Sequence, residues 1–202
     1  MSTEIPQKEL FPRIKVNYDH DIYAGDHGRH KQEAQLEAIA EKLQKRVHVH
    51  MMEDIGLNFA TSQGDRYKYI LEKDRLGLVE WTDIQFIHHS FTNLLHQYGE
   101  KVEILGQADA AMRIKVGNDL EASCLLLGNL WQKICDEYGE NLYAAIPRQD
   151  LLLIAASGNR KGILQLQTAV KAVFESPDSG PLLSKAIYQR WDGEWKIVAS
   201  AF

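Results

Sequence analysis

Three Asp and three His fall within residues 18–30, in the run YDHDIYAGDHGRH. Asp19, His20, Asp26, His27 and His30 carry the nitrogen and oxygen donors that zinc accepts. His27 and His30, three residues apart, would share a face if a helix began there. A metal-assisted hydrolase using segment 19–30 is the alternative function this stretch raises. The competing reading is a polar bend. The run matches no standard ligand signature such as HExxH, Gly25 and Gly28 loosen it, and Asp26 suits the electropositive start of a helix. The bend explains the residues more simply.

The remaining reactive residue types are scattered. His48 and His50 alternate with Val47, Val49 and Met51, which puts the two imidazoles on the wetter face of a strand. His88, His89 and His96 lie on one helical stretch, where His89 and His96 sit about 10 Å apart and cannot share an ion. Ser123 lacks the G-x-S-x-G elbow of a serine nucleophile. Cys124 falls on a core stripe without an activating neighbour in sequence. Gly158-Asn159-Arg160-Lys161-Gly162 precedes a helix whose N-terminus suits an anion. It lacks the G-x-x-x-x-G-K-[ST] phosphate loop, so a nucleotide site at Asn159 to Lys161 is a third and weaker option. No complete catalytic or cofactor signature emerges. We therefore expect no cofactor and lean away from an enzyme.

The elements that must position these residues are easier to read. Residues 1–28 read as an irregular lead-in broken by Pro6 and Pro12. Helical periodicity follows over about 29–46. Strand-like alternation covers Val47–Met51, Leu57–Thr61 and Arg66–Leu71. A helix over 83–98 opens on Thr82 and Gln85, the spacing of a capping box, and ends at Gly99. Its expected apolar stripe is Ile84, Ile87, Phe91, Leu95 and Tyr98.

Strands at Lys101–Leu105 and Met112–Val116 lead to a third helix, capped at Asn118 with Glu121 three residues on, and closed by Gly139. Leu142–Ile146 and Leu151–Ala155 are continuously apolar, as strands in the middle of a sheet should be. Ser157 or Asn159 caps a fourth helix over 160–175. Lys185–Trp191 and Glu194–Ser200 flank Asp192-Gly193, which suits a type I′ hairpin turn. Two-residue register sets Arg190 against Trp195, a candidate cation–π pair, and Tyr188 against Ile197. Paired strands between helices give an α+β class: an antiparallel or mixed sheet with about four helices packed against it, in a single domain over 1–202.

Bulk properties bound the function. The chain has 202 residues, enough to bury a core without metal or disulfide support. Its net charge of −5 argues against nucleic acid as a partner. The basic run Lys42, Lys45 and Arg46 reads as a solvated helix face. The start, MSTEIPQKELFPRIK, lacks the apolar core of a secretory leader, and no apolar run is long enough to span a membrane. The cytoplasm is the expected compartment, with no membrane partner. Cys124 and Cys135 would lie about 16 Å apart along one helix, beyond disulfide reach, and read as buried thiols.

One stretch resembles a known family. The run NDLEASCLLLGNLWQKICDEYGENLYAAIPRQDLLLIA is similar to the core of the YtpQ-like family, bacterial proteins of unknown function. Glu121-Ala122-Ser123 and Ala145 to Leu152 carry the likeness. YKYILEKDRLGLVEWTDIQFIHHSFTNL follows the same order upstream, and LFPRI adds a Pro-Arg-Ile-like element. The likeness is strongest from Tyr67 to Ala156, and longer members have an N-terminal region absent here. It implies no reaction. It does point to Glu121, Ser123, Arg148 and Asp150 as a shared polar rim for binding. The expected function is a protein-binding or self-associating module, whose partner is another protein or itself.

Overall fold

The computed structural model describes residues 10–16, 48–52, 54–63, 66–71, 82–139, 141–176 and 181–202. Its contacts divide the chain into two compact units that part between Leu94 and Leu95.

In the first unit a long central strand organises the sheet. β1 (Leu10–Val16), β2 (His48–His50) and β4 (Arg66–Tyr69) all pair antiparallel with β3 (Ile55–Gln63). Phe11, Ile14, Leu57 and Phe59 are buried. The helix α1 (Asp83–Tyr98) packs Phe86 against Phe59, with ring centroids 5.3 Å apart. Asn93 Nδ2 donates to the Leu10 carbonyl at 2.9 Å.

The capping box forms as the sequence predicts. Thr82 N donates to Gln85 Oε1 at 2.6 Å, and Gln85 N donates to Thr82 Oγ1 at 3.3 Å. The buried stripe is rotated from the expected one: Phe86, Ser90 and Leu94 are buried, whereas Ile84 is exposed.

The second unit is a six-stranded antiparallel sheet in the order β10-β9-β7-β8-β6-β5. Its strands are β5 (Glu103–Leu105), β6 (Met112–Lys115), β7 (Leu142–Arg148), β8 (Leu151–Ala156), β9 (Ala186–Trp191) and β10 (Glu194–Ser200). β7 and β8 occupy the middle, as their unbroken apolarity predicts. Between β6 and β7 lie a 3-10 helix, Ala122–Leu126, and α2 (Gly128–Tyr138). α3 (Arg160–Glu175) follows β8, with Leu166 and Val170 packed on Ala145, Ala155 and Ile187. The 3-10 helix and α2 lie against the opposite face, where Trp131 meets Trp195 edge-on at 4.8 Å.

A bulge in β10 serves both faces. Trp195 pairs with Arg190 and Ile197 with Tyr188, then the register shifts so that Ala199 pairs with Ile187. One extra residue inverts the alternation. Trp195 therefore faces α2, while Ala199 packs in the α3 cluster. Asp192 and Gly193 both take positive φ, 51° and 82°, as a type I′ turn requires.

Three expectations need correction. The class is α+β, but the described strands form two sheets, all of their pairings are antiparallel, and the described residues contain three α-helices rather than about four. Helix 29–46 lies outside the described residues. Leu10–Val16 is a strand and not part of an irregular lead-in. Pro12 is tolerated because β1 pairs with β3 alone among the described strands, and at an edge a missing N–H costs little. The third helix does not start at Asn118: Leu127 (φ −85°, ψ 89°) separates the 3-10 segment from α2.

Candidate functional site

Gly117, Asn118 and Asp119 stand consecutively at φ 96°, 58° and 53°. Gly accepts this conformation freely, and Asn and Asp tolerate it better than other residues. Glu121 holds the turn. Its Oε1 accepts from Gly117 N at 2.8 Å and from Val116 N at 3.2 Å. Asn118 Nδ2 donates to the Tyr98 hydroxyl at 2.7 Å. Glu121 is only 3% exposed, and its Oε2 has no hydrogen-bond partner among the described residues. Glu121 is thus a brace for the strand end rather than a helix cap. Ser123 is buried beside it. Burial, reinforced by the Glu121 charge, pushes the Cys124 thiol up to about 12.

The β7–β8 connection docks against this brace. Ala122 N donates to the Gln149 carbonyl at 3.0 Å. Arg148 grips Asp150 with both arms of its guanidinium, Nε to Oδ1 at 2.8 Å and Nη2 to Oδ2 at 2.5 Å. Arg113 Nη2 donates to the Asp150 carbonyl at 3.1 Å. The Arg148 hydrogen bonds hold the Asp150 carboxyl below its ordinary value, and Asp150 raises Arg148 in return. The four residues Glu121, Ser123, Arg148 and Asp150 therefore belong to adjoining segments. Glu121 and Ser123 point inward, while Arg148 and Asp150 are partly exposed and already neutralise each other.

Other candidates fall elsewhere. Asp19, His20, Asp26, His27 and His30 lie outside the described residues, as do the side chains of His48 and His50. Among the described residues, no three His, Cys, Asp or Glu side chains gather closely enough to hold a metal. Asn159 is committed to structure. Its Oδ1 accepts from Gly162 N at 2.9 Å, and its Nδ2 donates to the carbonyls of Ala108 and Ala110. Lys161 forms an exposed ion pair with Asp109. Neither cysteine forms a disulfide, and both are buried. No helix of the described residues is long and apolar enough to cross a membrane.

Two side-chain groupings escaped the sequence. In the first unit, the Arg13 guanidinium lies 4.2 Å from the Tyr67 ring centroid and Lys15 Nζ lies 5.1 Å from that of Tyr69. Burial acts to raise the Tyr69 phenol, but Lys15 and Arg13 outweigh it and lower the value. Reading residues 10–16 as irregular hid their strand alternation.

In the second unit an open cavity of about 380 Å³ is lined by Gln132, Cys135, Asn141, Arg190, Trp191, Asp192 and Gly193. Arg190 stands opposite Trp195 as predicted, yet its Nη1 donates to Cys135 Sγ at 3.3 Å. Trp131 and Cys135, four apart on α2, were the available signal that this helix faces the hairpin.

No protein family, no curated protein and no solved structure matches the chain. None of these comparisons identifies a YtpQ-like family.

Proposed function

We propose that the chain is a non-catalytic binding module that associates with another protein, or with a second copy of itself, along the edge of β10. The carrying observation is a set of exposed apolar residues on the outermost hairpin and just beyond its end. Trp191 is 57% exposed, Val198 47% and Phe202 52%. Among the described strands, β10 pairs with β9 alone. An unpaired edge offers backbone donors and acceptors to an incoming strand, and apolar side chains beside it supply burial. Val198 has no cross-strand partner in β9, because the bulge passes over it. The opposite edge, β5, spans three residues and carries the Glu103–Lys115 ion pair, which suits it less.

The test is light scattering over rising concentration, with amide hydrogen exchange read at residues 194–200. Val198→Glu places a charge at an exposed position and should leave the fold within about 0.5 kcal/mol of wild type. We expect association, or capture of a specific partner, in wild type and its loss in the variant. Equal association by both proteins would remove the β10 edge from the account.

A further inference from the structure

We propose that the cavity between α2 and the tip of the β9–β10 hairpin binds a small organic carboxylate, with Arg190 as its anchor. The cavity shares Trp191 with the exposed apolar residues of the hairpin, but its other lining comes from α2, Asn141, Arg190 and the turn, and Val198 is not part of it.

Arg190 is the reason. A guanidinium carries five N–H donors and is always charged. Among the described residues Arg190 makes one side-chain hydrogen bond, to the weak acceptor Cys135 Sγ at 3.3 Å. Its Nε is buried without an acceptor, and no described carboxylate pairs with it. An arginine normally meets such a position with a carboxylate across its planar fork, as Arg148 does with Asp150.

The rest of the cavity fits the same ligand class. At about 380 Å³ it falls in the range of small-molecule sites. Asn141 contributes a side-chain amide with no hydrogen bond among the described residues, and Gln132 contributes a second whose Nε2 donates to Asp136 at 3.1 Å. The exposed Trp191 indole gives an apolar wall that an organic group would cover. Asp192 also lines the cavity and sets a limit. Its negative charge disfavours a multiply charged anion such as phosphate, leaving a monocarboxylate with an apolar body.

The experiment uses the full chain. Benzoate, acetate and inorganic phosphate are titrated separately while ¹H–¹⁵N spectra follow the Arg190 Nε–H and the Trp191 indole N–H. Benzoate should give saturable shifts at both groups and bind more tightly than acetate or phosphate. Arg190→Gln should weaken benzoate at least about tenfold, the scale of a lost charge-assisted pair. Asn141→Ala provides a second reading in a protein whose guanidinium is intact, with a smaller loss expected. Circular dichroism and urea unfolding confirm the fold of each variant. Val198→Glu should leave benzoate binding unchanged, which separates this site from the edge. The proposal is overturned by three results: no saturable shift up to about 20 mM benzoate, undiminished binding in a folded Arg190→Gln protein, or phosphate binding more tightly than benzoate.

Discussion

Helix propensity and packing give opposite answers at Gly162, which makes it a sharp test of the second unit. Gly162 is the third residue of α3, and propensity alone says that alanine should stabilise the helix by about 1 kcal/mol. The surroundings say otherwise. A Cβ at this position would lie 2.7 Å from Asn159 Nδ2, 3.0 Å from Ala155 Cβ and 3.1 Å from the Ala110 carbonyl oxygen. Ala155 belongs to the central strand β8 and is fully buried, and Ala110 presents backbone. Neither can yield without moving its segment.

Asn159 can yield, but its amide caps α3 and ties it to the 108–110 loop. Overpacking costs about 1–3 kcal/mol, and loss of a cap about 1 kcal/mol. Set against the propensity gain, Gly162→Ala should destabilise by about 1–3 kcal/mol. That corresponds to roughly 4–8 °C per kcal/mol in a unit of about a hundred residues. Gly128, the first residue of α2, has nothing within 4 Å of an added Cβ. Gly128→Ala should therefore be neutral or stabilise by up to about 1 kcal/mol, through the unfolded chain. Urea unfolding of both variants, followed by circular dichroism and tryptophan fluorescence, gives the comparison. A Gly162→Ala protein as stable as Gly128→Ala would refute the packing described between α3, β8 and the 108–110 loop.

Glu121→Ala should cost about 2–4 kcal/mol in urea unfolding, since it strands the Val116 and Gly117 N–H groups and releases a turn at positive φ. Glu121→Gln keeps the Oε1 acceptor and should cost less. Asp150 has a folded value below its unfolded value of about 3.9. The stability it contributes is therefore complete above that value and is lost as pH falls through the lower folded one. Asp150→Asn should be less stable than wild type by no more than about 1 kcal/mol at neutral pH, because the pair is partly exposed. The gap should close as pH falls below about 4 in acid unfolding curves. Cys124 shows the opposite sign: its thiol is raised to about 12, so its contribution is full below the ordinary thiol value and is lost as pH climbs toward the folded one. It should resist a thiol reagent in the native chain at pH about 8 and react on unfolding, as a time course with an aromatic disulfide would show.

What the sequence disclosed follows from the range of the interactions involved. α1, α3 and the terminal hairpin announce themselves through contacts three or four residues long: Thr82 with Gln85, Asn159 with Gly162, and the Asp192-Gly193 turn. The burial of β7 and β8 is written in their own apolarity. β1 was hidden because its partner is distant, with Leu10 opposite Thr61, and because Pro12 looks like a breaker until β1 is known to be an edge. The split before α2 was hidden because Leu120, Cys124, Leu127 and Trp131 are all buried and keep helical spacing across a backbone break. Glu121, Ser123, Arg148 and Asp150 could be placed in adjoining segments. Which way each side chain points was not readable, since that depends on Gln149 receiving Ala122 N and on Val116 and Gly117 turning back toward Glu121.

The described ionisable groups divide by whether the fold answers them. Glu121 spends one oxygen on two backbone N–H groups, Arg148 and Asp150 neutralise one another, Lys161 meets Asp109, and burial keeps the Cys124 thiol protonated. Arg190 is answered only by sulfur. Arg190 is half-buried, and its Nε lies off water without an acceptor, a cost that packing must carry. The hairpin that bears Arg190 is otherwise tightly specified: its turn takes two positive φ angles, its bulge sends Trp195 toward α2 and Ala199 toward α3, and Trp131 fixes Trp195 edge-on. Such constraints leave Arg190 little freedom to retreat into solvent. The guanidinium is thus held at the cavity by the same packing that stabilises the sheet, and a carboxylate entering there would find its counter-charge already in place.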